Sequence, residues 1–192
     1  MGGGSSDAAS TLIALNRLWR LDWPRAKLAA LGLEIGADVP FFIGGRNAIV
    51  EGIGERLTPV VLPKQWLAVV KPAASIATAT LFASSLLVRD SRAAILSGFA
   101  AIDGLLVPGH GRNDLQAAAE AECAQVVQAA TVLHRRFGNS RMTGSGSAVF
   151  ARAGTGDRPE AAMPDDDLQP GWTGRMCRSL SEHPLVGWSA DC

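Results

Sequence analysis

Apolar residues recur three and four positions apart through the first forty or so residues and every second position after that, and the change of period organises the chain. From Ser5 to Trp19, Ala8, Leu12, Leu15 and Trp19 share one helical face, and Ser5, Ser6 and Asp7 supply capping oxygens and negative charge at the first turn. This pattern predicts an N-capped helix fed by Gly2-Gly3-Gly4. A second short helix is predicted from Pro24 through Ala26, Leu28, Ala29 and Leu31 to a glycine stop at Gly32. Gly36-Ala37-Asp38-Val39-Pro40-Phe41-Phe42 forms a third compact element that runs into the turn Gly44-Gly45.

Alternation then takes over, and Ala48 to Glu55 and Trp66 to Val70 read as strands, the second stopped by Pro72. Between them, Thr58-Pro59 to Pro63-Lys64 is the best candidate boundary, dividing a domain of residues 1–59 from one of residues 60–192. Thr78 to Leu87 reads as a helix capped by Thr78. Leu115 to Leu133 reads as a longer one, with Leu115, Ala119, Cys123, Val126, Ala130 and Leu133 on its apolar face and Asn113 and Asp114 at its start. A strand, loop and strand follow in Arg141-Met142, Thr143 to Ser147 and Ala148 to Ala151. The tail from Gly154 is rich in Gly, Pro and Asp, with a short helical stretch predicted around Gly174 to Ser181.

Composition narrows the function classes. A chain of 192 residues with 47% hydrophobic and 19% charged residues is that of a globular protein with a real core, as one large domain or two small ones. Eighteen basic residues balance eighteen acidic ones, so no whole-chain field holds a polyanion, and no nucleic-acid partner is expected. Any anion must be bound locally. Cys123, Cys177 and Cys192 form no CxxC pair and lie far in sequence from His110, His134 and His183, which argues against a disulfide framework or a zinc site. The start carries neither the basic nor the apolar region of a secretory signal, and no run approaches a membrane span. A cytoplasmic location without a membrane partner is the default expectation.

Three places can carry chemistry. Gly2-Gly3-Gly4-Ser5-Ser6 before a helix is a physical recipe for holding phosphate: glycines admit the anion, unpaired N–H groups meet it, and the helix dipole favours its charge. The same residues would serve equally as a flexible start to an ordinary capped helix. No Lys-Ser or Lys-Thr follows the glycines, so this is not the loop of the P-loop enzymes. Thr143-Gly144-Ser145-Gly146-Ser147 between two short strands reads either as a hairpin turn or as an anion nest. Together the two loops suggest a clamp on a polyphosphate. Asp38, flanked by small and apolar residues, is expected to be partly buried, as a helix cap, a paired structural carboxylate or a general base. Asp165-Asp166-Asp167, set between Pro164 and Pro170-Gly171, reads as a solvated loop rather than a metal site, and the tryptophans read as packing rather than a base-stacking platform.

These residues carry a resemblance. Gly2 to Ala9 resembles the second motif of the GHMP kinases, and Leu31 to Phe42 is similar to the segment with the catalytic aspartate in the diphosphocytidyl-methylerythritol kinases of that family. Gly52-Ile53-Gly54-Glu55, Pro72 with Ser75 to Phe82, Arg112-Asn113-Asp114-Leu115 and Arg141 to Ala151 are similar to the same family in the same order. The resemblance implies an α+β fold, with part of a domain like the second domain of ribosomal protein S5 followed by a ferredoxin-like domain. It implies transfer of the ATP γ-phosphate, with Mg²⁺, to the 2-hydroxyl of 4-diphosphocytidyl-2-C-methyl-D-erythritol in non-mevalonate isoprenoid synthesis. Asp38 would be the base, and Gly2, Gly3, Gly4, Ser5 and Ser6 the ATP phosphate loop. Gly144 and Gly146 would lie beside the phosphates, and Thr78 and Phe82 near the substrate. The family's phosphate loop begins earlier and its first motif holds a lysine, neither of which is in this sequence. An N-terminally incomplete, weakly active or inactive form is therefore expected. Another GHMP kinase, acting on homoserine, mevalonate or a sugar, and a non-catalytic piece are the alternatives.

Overall fold

The computed structural model describes residues 2–91 and 112–189; Met1, His110 and Cys192 lie outside the described residues. The chain forms two compact units, one of Gly2–Leu62 together with the chain from Leu180 on, the other of Pro63–Ser179.

In the first unit three helices pack together: α1 (Gly3–Leu18), α2 (Arg25–Ile35) and α3 (Val39–Gly44). Their core is Ala9, Ile13, Leu28, Val39 and Ile43. The buried stripe of α1 is Ala9, Ile13 and Asn16, one position on from the predicted face, and Trp19 is largely exposed. Asn16 hides this stripe from a hydrophobicity reading because it is polar. Its amide is nevertheless satisfied, donating to Trp23 O at 3.1 Å and accepting from Trp23 N at 3.0 Å. Gly32 does not stop α2, which continues to Ile35. It is instead the point of closest approach to α3, where a Cβ would stand 2.7 Å from Ile43 Cδ1 and 2.9 Å from Val39 Cγ1.

Gly32→Ala should therefore destabilise, since overpacking costs about 1–3 kcal/mol against a helix-propensity gain of at most about 1 kcal/mol. A lowered urea midpoint at constant m-value is the expected result, and an unchanged midpoint would show that Ile43 yields.

The run Ala48 to Glu55 read as one strand is the first strand and the turn of a hairpin: β1 (Ala48–Glu51) pairs antiparallel with β2 (Arg56–Pro59), with Glu51 opposite Arg56. Gly52 and Gly54, at φ 69° and 109°, turn the chain between them. The Glu55 carboxylate is held below its usual pKa by hydrogen bonds from its own N–H and from that of Ile53. That support is present at neutral pH and is lost as pH falls through the depressed pKa.

The tail does not stay with the residues that precede it. His183 N donates to Gly45 O at 2.7 Å, and the Arg25 guanidinium donates to Ile43 O, to Val186 O at 2.6 Å and to Ser189 O at 2.9 Å. Arg46 and Glu182 add an ion pair at 3.3 Å and an isolated antiparallel bridge. The compact units differ from the expected division at residues 59 and 60 in two ways. The crossing falls between Leu62 and Pro63, and residues from Leu180 join the first unit, because Arg25 needs carbonyl acceptors that they provide.

The second unit is a four-stranded antiparallel sheet in the order β4-β5-β3-β6, formed by β3 (Trp66–Lys71), β4 (Arg141–Met142), β5 (Val149–Arg152) and β6 (Thr173–Arg178). Helices α4 (Thr78–Ala83), α5 (Gln116–Glu122) and α6 (Ala124–Phe137) belong to the same unit. Leu81, Ala118, Ala119, Val126, Ala129 and Leu133 bury against Ala68, Val70, Met142, Val149 and Ala151. Two predictions fail here. The single helix from Leu115 to Leu133 is broken by Cys123, whose backbone is extended at φ −145°, ψ 99°. Gly174 to Ser181 is not helical. Thr173–Arg178 pairs with β3 along its whole length, from Lys71 opposite Thr173 to Trp66 opposite Arg178, because the strand ladder satisfies every second backbone group there. Helix α4 ends at Ala83, short of the predicted Leu87, as the backbone of Ser84 is extended.

Candidate functional site

In the first unit the predicted phosphate loop is helical from Gly3. Gly2, at φ 66°, is the N-cap position, and the first helical bond runs from Ser6 N to Gly2 O at 2.9 Å. The N–H groups of Gly3, Gly4 and Ser5 therefore stand before the hydrogen-bond ladder of a 16-residue helix. No side chain caps them, so the predicted capping role of Ser5, Ser6 and Asp7 is not taken up. Gly3 and Gly4 are exposed, and a Cβ on either would meet nothing within 4 Å. Gly2 itself is fixed by packing, since a Cβ there would lie 2.9 Å from Phe42 Cζ. An uncapped turn of donors at the positive end of a helix dipole suits a phosphate.

Phe42 belongs to α3, one turn beyond Asp38, the N-cap residue of that helix. Asp38 is exposed, contrary to the expected partial burial, and makes no capping hydrogen bond. The cause is the direction of its neighbours: Val39, Pro40 and Ile43 turn into the core and leave Asp38 on the outside. The position of this carboxylate is therefore set by backbone, and its oxygens are available to a proton.

In the second unit, Gly144 and Gly146 have φ 56° and 82° in the loop that joins β4 to β5, a hairpin connection closed by Thr143 N to Ala148 O and Gly146 N to Thr143 O, both 3.0 Å. A Cβ on Gly146 would meet Met142 Sδ at 2.7 Å, whereas Gly144 faces open space. Thr78 opens α4 and is not its cap; its hydroxyl meets Ser145 Oγ at 2.9 Å. Phe82, one turn further along α4, is exposed over 56% of its surface, and Leu87, Val88, Arg89 and Asn113 line a depression beside it. Thr78, Ser145 and the glycine loop are thus brought together, with Phe82 on the same face of α4.

From the sequence, Asn113 reads as a helix start and as part of the stretch Arg112 to Leu115 similar to the family, with no role at the glycine loop. Its amide donates to Met142 O at 3.0 Å and to Gly144 O at 2.7 Å, and its oxygen accepts from Leu115 N at 3.0 Å. One side chain thereby ties the start of α5 to the glycine loop. Asp165, Asp166 and Asp167 form an exposed single turn. Among the described residues no group of three or more His, Cys, Asp or Glu could hold a metal, and no described helix is long and apolar enough to cross a membrane.

The family model described as GHMP kinases N terminal domain matches residues 1–46. A 4-diphosphocytidyl-2-C-methyl-D-erythritol kinase from Methylibium petroleiphilum is 58% identical over 190 residues, 98% of this chain and 65% of the relative. Kinases of the same name from Albidiferax ferrireducens and Verminephrobacter eiseniae are 53% and 49% identical, covering 100% of this chain and 63% and 67% of their own length. This chain therefore spans about 65% of the length of the relative it is 58% identical to. A crystal structure of 4-(cytidine 5'-diphospho)-2C-methyl-D-erythritol kinase superposes with a TM-score of 0.66 at 31% identity, over 79% of this chain and 56% of that one.

Proposed function

Since this chain belongs to the family of 4-diphosphocytidyl-2-C-methyl-D-erythritol kinases and has the α+β GHMP kinase fold, we propose that it carries the phosphate-binding helix and the acceptor-activating carboxylate of an ATP-dependent phosphorylation of the 2-hydroxyl of 4-diphosphocytidyl-2-C-methyl-D-erythritol. The observation that carries this reading is the first turn of α1, whose N–H groups at Gly3, Gly4 and Ser5 have no side-chain cap.

The N–H groups of Gly3, Gly4 and Ser5 donate to ATP phosphate oxygens, and Ser5 and Ser6 bring hydroxyls to the same turn. Gly144 and Gly146 keep a second loop narrow enough for its backbone to approach a phosphate. The Ser5 or Ser6 hydroxyl would be the protein ligand of a Mg²⁺ bound mainly through phosphate oxygens and water, and the ion would neutralise charge on the phosphates. Asp38 takes the proton of the 2-hydroxyl as that oxygen bonds to the γ-phosphorus; the bond from the γ-phosphorus to the bridging oxygen breaks, and ADP leaves. Thr78 offers a hydroxyl near the substrate and Phe82 an exposed apolar side chain.

An ADP-coupled assay of the full-length enzyme with the cytidylyl substrate, homoserine, mevalonate and galactose tests this. Turnover with the cytidylyl substrate at least tenfold above the others is expected. A preference for one of the others would move the enzyme to a different GHMP specificity, and turnover of none would remove the kinase reading.

A further inference from the structure

In the turn that joins β1 to β2, Gly52, Ile53 and Glu55 are exposed and Gly54 alone is buried. What covers it is Ala37. A Cβ on Gly54 would overlap the Ala37 carbonyl oxygen and stand 2.7 Å from its carbonyl carbon and 3.1 Å from its Cα. These are backbone atoms, so no side-chain rotation makes room. The φ of 109° at Gly54 also excludes other residues. The turn is braced from within: Gly54 N donates to Glu51 O at 3.3 Å, and Ile53 N donates to Glu55 Oε2 at 2.7 Å. Gly52, at φ 69°, differs in one respect, since the nearest atoms a Cβ there would meet belong to the flexible Glu55 carboxylate and not to backbone.

Ala37 immediately precedes Asp38, whose side chain has no capping bond to hold it. On one side Val39 and Pro40 anchor the Asp38 backbone in the core; on the other, the bare backbone of Gly54 limits where the Ala37–Asp38 peptide can lie. We propose that Gly54 is a positioning residue for phosphoryl transfer, the stop against which the peptide carrying Asp38 is set. This rests on Asp38 acting as the base. A displacement of about 1 Å at such a group is worth roughly 10²-fold in rate, and a Cβ at Gly54 enforces a shift of that size.

The test compares Gly54→Ala, Gly52→Ala and Asp38→Asn in the full-length enzyme, measuring kcat, KM for ATP and thermal midpoint. Gly54→Ala should lower kcat about 30- to 100-fold with KM for ATP within about threefold, whereas Gly52→Ala, which displaces the Glu55 carboxylate and loosens the same turn without touching Ala37, should lower kcat by no more than about fivefold with KM for ATP within about threefold. Equal losses of kcat in the two glycine variants would make the effect one of stability and overturn the proposal. So would parental kcat in Gly54→Ala while Asp38→Asn is inactive; turnover of Asp38→Asn within tenfold of the parent would instead overturn the base. If Gly54→Ala yields no folded protein, the pair Glu55→Ala and Glu55→Gln decides. Loosening the turn with alanine should lower kcat about fivefold, and glutamine, which keeps an acceptor for Ile53 N, should restore it to within about twofold. Parental kcat in Glu55→Ala would sink the proposal.

Discussion

Asp38→Asn in the full-length enzyme lowers kcat by about 10²- to 10⁴-fold, the range a positioned general base supplies, and leaves KM for ATP within about threefold. The separation follows from where Asp38 stands. It makes no capping bond and is exposed at the N-cap position of α3, so asparagine, equal in size, disturbs neither the helix nor the core of Val39, Pro40 and Ile43. The turn proposed to bind phosphate begins at Gly3 on another helix and keeps its N–H groups. What is lost, if Asp38 is the proposed base, is the ability to accept a proton and a negative charge. Pre-steady-state rapid quench reads the chemical step directly. A burst within tenfold of the parent would remove Asp38 from the base role.

Asn113→Asp should act on the other side of the ledger, through ATP binding. The amide gives two hydrogen bonds, to Met142 O and Gly144 O, and aspartate replaces both donors with an anionic oxygen facing two carbonyls. Two lost bonds at about 0.5–1.5 kcal/mol each, plus the repulsion, come to roughly 2–3 kcal/mol, or about 30- to 100-fold. Because Gly144 is proposed to approach a phosphate, the expected change is a rise in KM for ATP with kcat within about fivefold of the parent. Loss of thermal stability with KM unchanged would confine Asn113 to holding the start of α5.

How far the sequence shows these arrangements depends on the kind of signal each one leaves. The helix after Gly2, the hairpin glycines at 144 and 146 and the central strand at Trp66 are local, and capping, turn and alternation rules find them. The buried stripe of α1 was read one residue early because Asn16, a polar residue with both amide groups satisfied, occupies a core position. Strand β6 looks helical in isolation and is a strand because β3 offers it a partner edge. The break at Cys123 has no glycine or proline to announce it. At the site, residue types were legible and environments were not. The exposure of Asp38 follows from which neighbours enter the core, and the clamp by Asn113 joins residues about thirty positions apart. Gly54 could be quoted as part of a motif, but its contact with Ala37 exists only once the hairpin has folded against α3.

The return of the tail also has a topological meaning. Ser179 N donates to Gln65 O, Gln65 N donates to the Ser179 hydroxyl, and Trp66 lies opposite Arg178, so the second unit's first and last residues are neighbours. Topologically this is a nested arrangement: one module whose two ends meet, and another whose residues come from both sides of it in sequence. Such a module can be exchanged as a cassette, or reopened at a loop tip with its old ends fused, without any strand of its sheet changing partner.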